Sequence, residues 1–263
     1  MEIREKLAGI RCFLLDMDGT FYLGNQLIDG SLDFLAALKR TGRRCLFLTN
    51  NSSKSASFYK EKLKKMGVPE EFRNVLTSGQ AAARYVTNRF PGGKAFLLAN
   101  AIETEELRAL GVEIDQEKPD YVLIAFDTEL DYKKMTMLCD HVRAGLPYIA
   151  THPDYNCPTE TGFIPDIGAT IAYVKASTGR EPDLIIGKPY SGIVEETLRV
   201  TNLRKEEMAM VGDRLYTDIA TGVNFGMLSI LVMSGETTAE MAAESPIKPG
   251  LTFGRLSDMI PYL

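Results

Sequence analysis

The chain reads as an α/β protein, a doubly wound parallel sheet covered by helices, with a second α/β domain inserted. Three observations predict this. Short apolar runs alternate with amphipathic stretches along the length. The joins between them are short. Glycines (Gly42, Gly67, Gly111, Gly145, Gly179 and Gly226) stand just after helical stretches, where a left-handed closing residue is wanted. Strands that alternate with helices across short joins pair in parallel, because each helix carries the chain back to the start of the next strand.

Taken in order, the first element is Ile10-Arg11-Cys12-Phe13-Leu14-Leu15, a mostly apolar run that reads as a buried strand. A helix over 31–41 follows, opened by Ser31 and carrying an apolar face of Leu32, Phe34, Leu35 and Leu38. A second strand is expected at 44–49, then helices at 55–66 and 80–90. Strands at 95–99, 121–126 and 148–151 alternate with helices at 103–110, 132–144 and 168–178. The remaining strands are expected at 184–186, 208–211 and 228–232, with helices at 191–201 and 217–225 between them. Two Gly/Pro-rich breaks, Phe90-Pro91-Gly92-Gly93 and Thr178-Gly179-Arg180-Glu181-Pro182, bracket the middle group. The division expected is a discontinuous core of 1–90 and 183–263 with an inserted domain of 91–182, long enough for a small core of its own.

Composition narrows the function classes. The chain has 263 residues and a net charge of −5, which leaves no basic footprint for nucleic acid. Its four cysteines (Cys12, Cys45, Cys139 and Cys157) are widely spaced and its histidines are only His141 and His152. A zinc site or disulfide framework is therefore not expected, and the thiols suit a reducing compartment. The charged start Met1-Glu2-Ile3-Arg4-Glu5-Lys6 has no signal-like apolar run behind it, and no run approaches the ~20 apolar residues of a membrane span. The expectation is a cytoplasmic protein with neither nucleic-acid nor membrane partners.

Four motifs carry chemistry. Asp16-Met17-Asp18-Gly19-Thr20 puts two carboxylates just past the first strand, at the end where open α/β sheets bind ligands. An EF-hand loop fails, since its fifth position is Thr20 and its twelfth is Leu27. A plain Asp-Gly turn is the bland alternative. Thr49-Asn50-Asn51-Ser52-Ser53 offers a hydroxyl, amides and backbone N–H groups to an oxyanion, although such clusters are mostly loops and caps. Gly187-Lys188-Pro189 offers a compact cation, and Gly212-Asp213 with Asp218 offers further acids for a hard cation. Each motif follows an expected strand, so one parallel sheet is expected to gather all four along one edge. Carboxylates, a hydroxyl-amide pair and a lysine suit phosphoryl transfer, where neutralising charge and positioning do most of the work.

In order and spacing these motifs resemble those of the haloacid dehalogenase (HAD) superfamily phosphatases. The strings Asp-Met-Asp-Gly-Thr-Phe-Tyr-Leu-Gly, Thr-Asn-Asn-Ser-Ser, Ala176-Ser177-Thr178-Gly179-Arg180 and Gly187-Lys188-Pro189 resemble its NagD-like, p-nitrophenylphosphatase-like branch. The resemblance covers essentially the whole chain. It implies a Rossmann-like core with an α/β cap between the second and third motifs, and Mg²⁺-dependent hydrolysis of a small-molecule phosphate ester. It also implies Asp16 as nucleophile and Asp18 as general acid and base. Asp16, Asp213 and the Asp18 backbone carbonyl would be metal ligands, with Asp218 behind them. Gly19, Thr49, Asn50, Asn51 and Lys188 would surround the phosphate. The cap selects the leaving group in that family, which directs attention to the polar loop 151–158 and to His152, Asp154, Asn156 and Cys157, with a solvated loop as the equal alternative. A dehalogenase is disfavoured because halide needs no proton from an Asp18-type acid. A phosphomutase, and a non-catalytic regulatory protein on the same fold, stay open at this point. So do the physiological substrate and a homo-oligomer paired through the cap.

Overall fold

The computed structural model describes residues 2–159 and 161–263. Its strands, in chain order, are β1 (Cys12–Leu15), β2 (Tyr22–Leu23), β3 (Gln26–Leu27), β4 (Arg44–Thr49), β5 (Val75–Thr77), β6 (Lys94–Leu98), β7 (Glu113–Ile114) and β8 (Tyr121–Ile124). They continue with β9 (Tyr148–Ala150), β10 (Asn156–Thr159), β11 (Gly162–Pro165), β12 (Leu184–Ile185), β13 (Met208–Gly212), β14 (Leu228–Val232) and β15 (Leu251–Phe253). Contacts divide the chain into two compact units. One is Met1–Thr49, Ser57–Leu76 and Thr197–Leu263; the other is Asn50–Ala56 and Thr77–Glu196.

The first unit holds a six-stranded sheet in the order β15-β14-β13-β1-β4-β5. β1 is buried at all four positions and runs parallel to both neighbours. Its register sets Leu15 beside Val211 of β13 and beside Phe47 of β4. β1 is also where the chain switches direction across the sheet, and such a switch opens a crevice at the strands' carboxyl ends. The helix Ser31–Arg40 buries Phe34, Leu35 and Leu38. Phe34 meets Phe13 of β1 edge to face at 5.5 Å, and Phe21 meets Phe47 of β4 at 4.8 Å. Each such ring contributes about 1.5–3 kcal/mol through burial, which fixes β1 and β4 as a stiff base for the loops that follow them.

The second unit has a five-stranded parallel sheet in the order β12-β9-β8-β6-β7. Phe96, Leu98, Val122, Ile124 and Tyr148 from its strands pack with Leu138 of the helix Tyr132–Arg143 and Val174 of the helix Ile167–Thr178. Helix starts here are capped in the expected way: Asn100, Asp131 and Asp166 each accept a backbone N–H with the side chain.

The alternation of strands and helices is as the pattern predicted; the short strands β2, β3, β5, β7 and β15 fall outside the expected runs, and four further differences bear on the site. β12 pairs with β9 in the second sheet, so three of the four motif strands (β1, β4 and β13) share a sheet and the third motif follows a strand of the other. A two-residue run such as Leu184–Ile185 carries too little pattern to choose its sheet. The segment before Ala220 is a π-helical turn, Leu215–Ile219, in which the Arg214 carbonyl accepts from both Asp218 N and Ile219 N. The polar stretch after Thr151 contains the exposed hairpin β10–β11. Finally, Asn50–Ala56 and the helix Ser78–Arg89, both read as core from sequence, have their contacts in the second unit. Among the described residues no helix is long and apolar enough to cross a membrane.

Candidate active site

In the first unit the register explains how the acids meet. Asp16 N donates to Val211 O at 2.9 Å, which ties the end of β1 to the end of β13. The residues that follow, Asp16 on one strand and Asp213 on the other, are thereby neighbours, and the π turn returns Asp218 to them. Carboxylate oxygens of Asp16, Asp213 and Asp218 all lie within 4.8 Å of one another. Asp213 and Asp218 are buried and Asp16 is half-buried. The Asp213 carboxyl accepts from Thr20 Oγ1 (3.2 Å) and from Glu236 N (2.7 Å). Burial, and then the adjacent Asp218, push its pKa up to about 6 against those bonds and Arg214. Three crowded anions, one of them pushed toward neutrality, call for a cation. An all-oxygen donor set suits a hard one such as Mg²⁺. The backbone leaves room for these oxygens. A Cβ at Gly19 (φ +86°) would stand 2.5 Å from Asp213 Oδ2, and one at Gly235 would collide with the same carboxyl. The residues present therefore fit a divalent ion.

Asp18 is set apart from this group. Its side chain is not among the three clustered carboxylates. Oδ1 lies 3.5 Å from Gly24 N, in the turn between β2 and β3. Burial raises its pKa, opposed by Gly24 N–H, Lys62 and Arg214. A carboxyl shifted that way is better able to hold a proton for delivery.

In the second unit, Asn50 is the organising side chain of the other two motifs. Its Oδ1 accepts from Lys188 N (2.7 Å), and its Nδ2 donates to Lys188 O (3.0 Å) and to Asp154 Oδ2 (3.1 Å). Asn50 and Lys188 are both buried, as is Thr49 at the end of β4 in the first unit. Asn51 Oδ1 accepts from Ser53 N and Oγ, closing the loop on itself, and its Nδ2 faces Cys157 Sγ at 3.6 Å. Asn51 is thus half-buried and engaged by its own loop.

The four loop residues singled out for substrate contact divide. Asn156 is exposed on β10 and Cys157 is half-buried beside Asn51. Asp154 is held by Asn50. His152 is fully buried, and both ring nitrogens are engaged: Nε2 with Asp166 Oδ1 (3.0 Å) and Nδ1 with Thr151 Oγ1 (3.1 Å). It offers no free polar atom to a ligand, because a fully buried ring in a polar setting is bonded on both sides by protein. Burial alone would lower its pKa, but the Asp166 carboxylate beside it, helped by Asp154, outweighs burial and Lys188 and raises it.

Sequence reasoning missed Arg214, Ser234 and Glu236. Arg214 carries an ion pair to Glu236 (2.9 Å), and its N donates to Asp218 Oδ2 (3.1 Å). Burial would lower its pKa, yet Asp16, Tyr216, Glu236 and Asp218 together raise it, so it stays a fixed cation among the acids. Ser234 Oγ donates to Gly19 O at 2.8 Å. The available signal was position: Ser234-Gly235-Glu236 follow β14 as the other motifs follow their strands.

The chain is similar to known proteins along nearly its whole length. Residues 13–113 match the family model described as haloacid dehalogenase-like hydrolase, and 185–259 match a HAD-hydrolase-like model. The chain is 37% identical to an acid sugar phosphatase of Staphylococcus aureus over 96% of this chain and 98% of that one. It superposes on a 4-nitrophenylphosphatase of Thermotoga maritima with a TM-score of 0.93 and 45% identity, covering 97% and 98% of the two chains. A solved structure carrying the NagD name gives 0.90 and 44%, covering 97% and 99%.

Proposed function

Because the chain belongs to the haloacid dehalogenase-like hydrolases, as a phosphatase of their NagD-like branch, we propose that it is a Mg²⁺-dependent enzyme that hydrolyses small-molecule phosphate monoesters through an aspartyl-phosphate. The acid sugar phosphatase and 4-nitrophenylphosphatase relatives make sugar phosphates the first substrate class to examine. The observation that carries the reading is the meeting of Asp16, Asp213 and Asp218 at the carboxyl ends of β1 and β13.

Asp16 attacks phosphorus through one carboxylate oxygen as the bond to the leaving alkoxide breaks, and Asp18 gives the departing alkoxide oxygen its proton. Asp18, now a carboxylate, takes a proton from the water that attacks the phosphoenzyme. The bond from phosphorus to Asp16 breaks, inorganic phosphate leaves and Asp16 is restored. Thr49, Asn50 and Lys188 bind the phosphoryl oxygens, with Asn51 shaping that loop, and Gly19 lets the backbone approach closely. Asp16 and Asp213 with the Asp18 carbonyl would hold Mg²⁺, and Asp218 would orient its waters. The bound ion supplies charge neutralisation between an anionic nucleophile and an anionic ester. Residues 91–182 act as the cap, and Asp154, Asn156 and Cys157 are its proposed substrate contacts.

Phosphate release from p-nitrophenyl phosphate and a panel of sugar and glycerol phosphates, before and after chelation and Mg²⁺ return, tests this. Activity is expected to vanish with chelation and return with Mg²⁺, and Asp16→Asn is expected to be inactive. Wild-type turnover in Asp16→Asn refutes the nucleophile; turnover indifferent to chelation refutes the metal.

A further inference from the structure

We propose that His152 and Asp166 form a buried strut that holds the Asn50 loop and the Lys188 backbone in position, making His152 a positioning residue for phosphate binding. The proposal rests on the phosphate-binding roles given above to Asn50 and Lys188.

One end of the strut is anchored by a helix. Asp166 is the N-cap of the helix Ile167–Thr178, and its Oδ1 accepts from Ile167 N (2.6 Å) as well as meeting His152 Nε2 (3.0 Å). The other end meets three hydroxyls: Thr151 Oγ1 at 3.1 Å, Ser52 Oγ at 3.4 Å and Ser78 Oγ at 3.5 Å from Nδ1. Each leads directly to the phosphate motifs. Ser78 Oγ donates to the Asn50 carbonyl. Ser52 belongs to the Asn50 loop; its Oγ accepts from Phe126 N (2.9 Å) and pairs with Thr151 Oγ1 (2.8 Å). The Thr151 carbonyl accepts from Gly187 N at 2.7 Å, one residue before Lys188. Asn50 then grips Lys188 by both its N–H and its carbonyl.

Packing makes this register strict. A Cβ at Gly187 would stand 2.6 Å from Asn50 Oδ1, 2.7 Å from Thr151 O and 2.9 Å from His152 Cβ. Gly187 is thus sandwiched between the Asn50 amide and the His152 side chain, and neither can shift without moving the Lys188 backbone. Filling the space with an apolar side chain would avoid the desolvation cost of a buried ionisable pair. An apolar residue would leave the three hydroxyls without their shared partner and would not orient the loop. The charged groups facing His152 are Asp166, Asp154 and Lys188, so its protonation is tied to the same residues it orders.

The test uses the full-length protein, p-nitrophenyl phosphate as substrate and inorganic phosphate as competitive inhibitor. Variants are His152→Leu, His152→Asn, Asp166→Asn and the double variant His152→Leu with Asp166→Asn, each with its melting temperature. Lys188→Ala serves as the reference for lost phosphate contact. Phosphate Ki and KM are expected to rise on the order of tenfold or more in His152→Leu and Asp166→Asn. His152→Asn, which keeps a polar atom toward the hydroxyls, is expected to fall between wild type and His152→Leu. The double variant is expected to lose little beyond either single one. Since the chain has only two histidines, the His152 Nε2–H resonance can be followed directly, with His141→Gln for assignment. It is expected to be protected from exchange in wild type and exposed in Asp166→Asn. Folded variants with lowered melting temperature but wild-type Ki and KM overturn the strut and leave the roles of Asn50 and Lys188 standing. An unchanged Ki in Lys188→Ala overturns those roles, and the strut with them. If His152→Leu fails to fold, Asp166→Asn, which preserves volume, carries the same decision.

Discussion

Glu103 offers a stability experiment whose size follows from its surroundings. It is fully buried in the second unit, and neither carboxyl oxygen has a hydrogen-bond partner among the described residues. The carboxyl sits over Gly79, in space that a Cβ there would fill. Burial, and then the neighbouring Glu106, push its pKa from 4.5 up to about 9. Between those values the folded chain holds the proton and the unfolded chain has lost it. The stability from this group is complete below pH 4.5 and is lost as pH rises through about 9. Each unit is worth about 1.4 kcal/mol, so the loss at pH 7 reaches roughly 3 kcal/mol as an upper bound. Relaxation of the first turn of the helix Ala101–Ala109, which carries Glu103, toward water reduces it to about 1–3 kcal/mol. Glu103→Met keeps the length, removes the proton and fills the same space. Urea melts of both proteins at pH 5, 6, 7 and 8 give the difference directly, because every titrating group apart from the neighbouring Glu106 cancels. The variant is expected to gain on wild type as pH rises, by about 1.4 kcal/mol per unit at most. A difference that stays flat or shrinks across that range refutes a neutral Glu103 in the folded chain.

Two further outcomes concern the acids of the first unit. Asp218→Asn removes the anion that crowds Asp213, and Mg²⁺ affinity measured by calorimetry is expected to weaken about 10–100-fold while the fold survives. Gly235→Ala drives a Cβ into the Asp213 carboxyl. It is expected to weaken Mg²⁺ binding and to lower stability by about 1–3 kcal/mol through overpacking, read by calorimetry and by melting. Wild-type affinity in Gly235→Ala argues against Asp213 as a ligand, and wild-type affinity in Asp218→Asn argues against Asp218 as the group behind the ion.

The parts legible in sequence are those governed by short-range pattern. β1 and β4 are apolar runs ended by polar residues, so both their existence and the placement of Asp16 and Asn50 just past their ends follow from local periodicity. The in-register pairing of β1 with β13 is a long-range fact, yet it was reachable, because two motif-bearing strands with carboxylates at their ends must be neighbours for the acids to share an ion. β12 was not reachable in this way. Its two residues leave the sheet choice to the tertiary partner β9, and with it the grouping of Lys188 with Asn50 in the second unit.

His152 shows a different limit. In sequence, Thr151-His152-Pro153-Asp154-Tyr155-Asn156 is a run of turn formers and polar groups, the composition of a loop that meets ligands. What decides its role is Asp166, fourteen positions later on the far side of the hairpin β10–β11. The antiparallel hairpin returns the chain so that Asp166 N bonds to Tyr155 O and Gly168 N to Asp154 O. That closure carries the helix cap back onto the imidazole. A polar residue is read as exposed when its partner is distant in sequence, since local pattern prices the polar atom and cannot see the bond that satisfies it. The same reasoning applies to Arg214. It stands between two motif aspartates, and its role follows from Glu236 on another strand's loop. Arg214 becomes legible once strand order is known, because the loops after β13 and β14 are then neighbours and their charges must be balanced together.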